Sequence, residues 1–117
     1  MDQELKLNER PYRIFDTGEG KCTVLITSAS TVMSLERDYL HLTNFSKRLI
    51  IIDISSAISN GISTLNGEDI ETLVDDLGLL LDIFWLEGVC IEIDGKCERL
   101  SQRLSCVLGV SFVKSVG

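Results

Sequence analysis

The chain is short of several things whose absence narrows what it can be. Among 117 residues there is one proline, one histidine and one tryptophan, and Lys plus Arg (11) are outnumbered by Asp plus Glu (18). A net charge of −7 offers no basic surface for phosphates, so nucleic acid is not an expected partner. The apolar runs are short (49–52 and 79–81 among them), so no segment of about 20 apolar residues is available to cross a membrane. The N-terminal MDQELKLNER is polar and lacks the apolar core of a signal peptide, which leads to the expectation of a cytoplasmic protein. Neither G-x-x-x-x-G-K-[ST] nor G-x-G-x-x-G occurs, so no nucleotide loop is claimed. The four cysteines (22, 90, 97, 106) contain no C-x-x-C pair, and 97 and 106 fall half a turn out of phase on one helix; they read as reduced thiols. No metal or cofactor is expected.

What is present is a hydrophobic content of 44% with strands and helices in alternation. Residues 1–11 read as a polar arm, and 12–117 as a single domain. CTVLIT (22–27) and LIIIDI (49–54) are continuous apolar runs of the kind that suit parallel strands covered on both faces. Shorter strands are expected at 12–15, 89–93 and 110–113, and helices at 35–47, 68–87 and 96–108. In the long helix Ile70, Leu73, Val74, Leu77, Leu80, Leu81 and Phe84 follow the i, i+3, i+4, i+7 spacing, with Gly88 as the expected cap. The alternation predicts a three-layer α/β sandwich with a mainly parallel sheet of four to five strands joined by right-handed crossovers.

Ligands of such sheets bind outside the carboxyl ends of the strands. Three ends are identifiable: Ser28 and Ala29 after the first buried strand, Asp53 after the second, and Asp94 with Gly95 after the third. Two aspartates there would suit Mg²⁺ or phosphoryl chemistry if they converged. The plainer reading is that each caps the turn that follows it. His41 falls within an expected helix between Leu40 and Leu42, which makes it a poor candidate for a catalytic imidazole.

The order of elements and several strings resemble the α/β-hydrolase family. DTGEGK (16–21) before CTVLIT is similar to the turn and strand that lead to that family's oxyanion loop. LIIIDI followed by NGIS (60–63) is similar to its D-x-R-G-x-G-x-S region, and NGEDIETLVDDLGLLLDIFWLEGV to the helix before the nucleophile strand. VCIEIDGKCERL stands where the strand, nucleophile elbow and next helix would be. The resemblance spans residues 12–117 and implies a partial α/β-hydrolase core. At the positions of G-x-S-x-G the chain carries Glu92-Ile93-Asp94-Gly95-Lys96, so Asp94 replaces the nucleophilic serine and both flanking glycines are gone. The His-Gly of the oxyanion loop is replaced by Ser28-Ala29, and the strands that would bring the acid and the histidine do not follow 110–113.

The resemblance therefore implies a truncated, non-catalytic relative that acts through self-association or a protein partner, with Phe84, Trp85 and Phe112 as the expected interface. A competing reading makes Asp94 a nucleophile completed by another chain. A third takes Asp53, eight residues before Gly61, as the phosphoacceptor of a receiver-like signalling domain, although Thr27-Ser28-Ala29 stand where its acidic pair would be.

Overall fold

A computed structural model of the chain describes residues 2–28, 48–59, 61–86, 89–95, 97–108 and 112–116. Strands β1 (Asp2–Leu7), β2 (Arg10–Gly18), β3 (Cys22–Thr27), β4 (Arg48–Asp53), β5 (Cys90–Asp94) and β6 (Phe112–Val116) form one sheet in the order β1-β2-β4-β3-β5-β6. The last four in that order run parallel, while β1 and β2 are antiparallel to their neighbours. Helices α1 (Gly67–Ile83) and α2 (Glu98–Leu108) follow β4 and β5 respectively, with a 3-10 turn at Ile62–Thr64 ahead of α1. The expected α/β class and mainly parallel sheet are the observed ones.

The two apolar runs lie at the centre. Every residue of β3 is buried, as is β4 beyond Arg48, so both faces of these strands are covered. On one face Ile14, Ile52, Ile26 and Ile93 align across four strands and join Ile70, Leu73, Val74, Leu77 and Leu80 of α1 and Leu100 and Leu104 of α2 in a single core. On the other face Leu25, Leu49 and Ile51 are equally buried. All four cysteines are free, and burial pushes the Cys22 thiol up to about 11.

The polar arm is a correction. Residues 2–7 are the edge strand β1, paired to β2 with Leu7 opposite Arg10 across a two-residue turn. Asn8 and Glu9 take φ values of 51° and 69°, the left-handed pair that a tight hairpin matching the twist of its strands requires. The signal was the alternation Leu5-Lys6-Leu7, which puts the leucines inward and the lysine outward. β2 is accordingly longer than 12–15, and the sheet has one strand more than the upper expectation.

A second correction concerns the end of α1, which stops at Ile83 instead of 87. Its start is set by Asn66, whose side chain accepts from Asp69 N–H at 2.8 Å while Asp69 Oδ2 accepts from Asn66 N–H at 3.4 Å. Its end is set by Trp85 at φ 56°, with Trp85 N–H donating to Asp82 C=O (3.2 Å) and Leu86 N–H to Leu81 C=O (2.9 Å). These two bonds make a Schellman cap in which tryptophan occupies the usual glycine position. The expected helix at 35–47 with His41, together with Ala29, Lys96 and the Gly88 cap, lies outside the described residues.

A buried carboxylate ties the hairpin to α1. Asp76 is fully buried and accepts from Asn8 Nδ2 (2.7 Å), from Arg10 Nε (2.7 Å) and Nη2 (2.8 Å), and from the Tyr12 hydroxyl. Burial alone would raise its pKa, but the donors from Arg10, Tyr12 and Asn8 outweigh it and hold the carboxyl below the usual range. Arg48 clasps Asp16 with both arms of its guanidinium (3.0 and 2.7 Å), which locks β2 onto β4.

Candidate functional site

The carboxyl ends of β3, β4 and β5 lie side by side because those strands are parallel neighbours. Thr27 pairs in register with Asp53, and its hydroxyl donates to Asp94 Oδ2 at 2.9 Å. The two aspartates thus flank one threonine. Asp53 is buried, and its Oδ1 accepts from Ser55 N–H at 2.9 Å, closing the turn after β4. Among the described residues no three His, Cys, Asp or Glu side chains converge well enough to hold a metal ion.

Ser28 and Gly95 meet a common neighbour, the 3-10 turn. Ser28 Oγ accepts from Ile62 N–H at 3.4 Å. Gly95 has φ +131°, and a Cβ there would sit 3.2 Å from Ile62 Cγ2. Asp94 is not among the residues with positive φ; it is the last regular residue of β5, in register with Val116 of β6. The bend between β5 and α2 therefore has its left-handed residue one position after Asp94.

The register also completes a row that no local motif reveals. Glu4 of β1 opposes Arg13 of β2, Arg13 opposes Asp53 of β4, and Asp53 opposes Thr27 of β3, which reaches Asp94 of β5. Five polar residues from five strands share one face at the carboxyl edge of the sheet. Beside them Gln3, Glu4, Arg13 and Ser56 line a shallow pocket of about 390 Å³. Glu4 and Arg13 were not expected at the site, because the segment carrying Glu4 read as an arm. Farther along that face Glu92 is also buried, with Oε2 finding no hydrogen-bond partner among the described residues.

The expected interface residues separate. Phe84 packs partly against the core, as does Leu86, while Trp85 between them is 90% exposed. Leu79 and Ile83 of α1 are also exposed, and Leu81, Asp82, Trp85 and Leu86 line a second pocket of about 320 Å³. Phe112 begins β6, the opposite edge of the described sheet from β1.

No family profile and no curated protein matches the chain. Solved structures do. Over 97% of its length it superposes on an epoxide hydrolase of Vigna radiata with a TM-score of 0.72 at 17% identity, covering 39% of that chain. Epoxide Hydrolase A of Mycobacterium thermoresistibile gives 0.73 at 17% identity, with 98% of this chain covering 38% of that one. A bromoperoxidase of Bacillus anthracis gives 0.69 at 22%, with 97% covering 42%. These are α/β hydrolases, and the likeness establishes that the chain has part of the α/β-hydrolase fold. It spans about two-fifths of the length of the structures it matches. Counted among themselves, the four parallel strands β4-β3-β5-β6 stand in the order second-first-third-fourth, as in the doubly wound order 2-1-3-4-5, and the antiparallel β1–β2 hairpin is added beside β4.

Proposed function

We propose that this chain is a non-catalytic protein of α/β-hydrolase fold that acts by binding another protein molecule. The observation that carries the proposal is Trp85, 90% exposed and held in a left-handed backbone conformation at the end of α1. A large aromatic that neither packs inward nor relaxes its backbone is the type of residue that anchors protein interfaces. The geometry of Asp94 supports the non-catalytic half. A nucleophile of this fold sits at the tip of a strained strand-to-helix turn, whereas Asp94 lies within β5 and accepts the Thr27 hydroxyl, the positive φ falling on Gly95. The strand β6, at the far edge of the described sheet from β1, is a second surface for the same role.

The test pairs two measurements on the purified chain. Light scattering over a range of concentrations reads self-association, and an ester and epoxide panel compares the wild type with Asp94→Asn. The proposal expects no turnover by either protein and unchanged thermal unfolding in the variant. Turnover that disappears in a well-folded Asp94→Asn protein would establish the competing reading, with Asp94 as nucleophile.

A further inference from the structure

Helix C-termini carry a partial negative charge, and proteins commonly place Lys, Arg or His in the last turn to meet it. The last turn of α1 has no basic residue and instead holds Asp82, whose side chain is exposed. The negative end of the helix dipole, the Asp82 carboxylate and the electron-rich face of an indole therefore gather at one place. All three attract a cation, and none is supplied from within this turn. The pocket between Leu81, Asp82, Trp85 and Leu86 is about 320 Å³, room for one long side chain.

The ring is also held outward. Phe84 and Leu86 on either side of Trp85 lean on the core, and the two Schellman bonds fix the backbone between them. Glycine takes that conformation without steric cost and tryptophan does not. Ile83 and Leu79, two and six residues before Trp85, extend the exposed apolar surface back along α1.

We propose that this end of α1 is a docking site for a basic peptide segment of a partner protein, with an Arg or Lys side chain lodged between Asp82 and the Trp85 ring and flanking apolar residues laid on Leu79 and Ile83. Cation–π contact and charge pairing would act together there. The inference rests on the interaction reading above and names its partner's chemistry. Charge decides between occupants: two copies of a chain carrying −7 would bring like-charged Asp82 groups together, whereas a basic segment neutralises them.

Trp85 is the only tryptophan, so its fluorescence reports this site alone. The full chain is titrated with a short amidated peptide of alternating arginine and leucine pairs, and with the same peptide carrying glutamine for arginine. The proposal expects a saturable blue shift with the first peptide and none with the second, weakening as salt shortens the Debye length below about 10 Å. Asp82→Asn should weaken binding by about two- to fivefold, the range for one exposed charge pair. Glu98→Gln, an equal loss of charge at an exposed position on α2, should leave it unchanged. Trp85→Gly, followed by anisotropy of a labelled peptide, should weaken it by about tenfold or more. Equal responses to both peptides, or equal losses in Asp82→Asn and Glu98→Gln, would overturn the proposal. A blue shift that tracks protein concentration without peptide would also overturn it, in favour of self-association, while leaving the interaction reading intact. Turnover dependent on Asp94 would instead strike that reading.

Discussion

Replacing Asp76 by asparagine removes one charge from a fully buried position and turns an amide NH₂ toward a set of donors. In the native protein the carboxylate receives four hydrogen bonds, from Asn8, from Arg10 twice and from Tyr12. Breaking a buried ion pair by removing one partner costs about 3–5 kcal/mol. Arg10 is 35% exposed and can recover part of its solvation by turning to water, whereas the Tyr12 side chain is buried and has no such outlet. The expected loss for Asp76→Asn is therefore about 2–4 kcal/mol. Tyr12→Phe, which leaves Asp76 its other donors, should cost only about 1 kcal/mol. Urea unfolding followed by far-ultraviolet circular dichroism measures both, and the Asp76→Asn midpoint should fall by about 1–2 M with the slope unchanged. The pH dependence is an independent check. The folded carboxyl lies below its unfolded value, so its contribution is complete above the ordinary carboxylate pKa of about 4 and is lost as pH falls through the folded value. The gap between wild type and Asp76→Asn should be flat near neutrality and close in acid. A loss below about 1 kcal/mol, or a gap that persists in acid, would refute the assignment of Asp76 as the group holding the β1–β2 hairpin to α1.

Two further substitutions test other parts of the structure. Glu9 holds φ 69° in the second position of the hairpin turn, where glycine is preferred, so Glu9→Gly should stabilise the protein by about 0.5–1 kcal/mol in the same urea assay. Glu92→Leu removes a buried oxygen that lacks a partner among the described residues and should raise the thermal midpoint, in keeping with a gain of about 1 kcal/mol; a lower midpoint would mean that the carboxylate is satisfied.

The elements that local pattern determines were legible in the chain. CTVLIT and LIIIDI had to be central strands because runs dominated by apolar and β-branched residues need cover on both sides, and they pair with each other in the structure. The spacing of Ile70, Leu73, Val74 and Leu77 located α1, and all four are core residues. The end of that helix was misjudged because apolar spacing continues through Phe84 and Leu86, whereas the helix is stopped by a backbone conformation that tryptophan rarely adopts. The β1 strand was missed because its polar residues face outward at an edge, where composition resembles that of a free segment; two inward leucines were its only mark.

The site shows the same division. Asp53, Asp94, Ser28 and Gly95 could be placed at strand ends from sequence, since a parallel sheet dictates where its open edge lies. Which of them touch could not. Thr27 and Asp94 are 67 residues apart, and the groups converging on Asp76 are 64 to 68 residues away from it. Contacts of that range follow from strand order and register, and one residue of slip would turn every side chain of a strand to the other face.

By itself, then, the sequence determined an α/β chain with two central apolar strands, an acidic surface and a polar rim at the strand ends, because periodicity and composition act over a few residues. Tertiary structure alone decided that β1 closes a hairpin onto α1 through Asp76, that Thr27 occupies the Asp94 carboxylate, and that of the clustered aromatics it is Trp85 that faces solvent. Each of these depends on where distant segments come to lie, and on the backbone angle at a single residue.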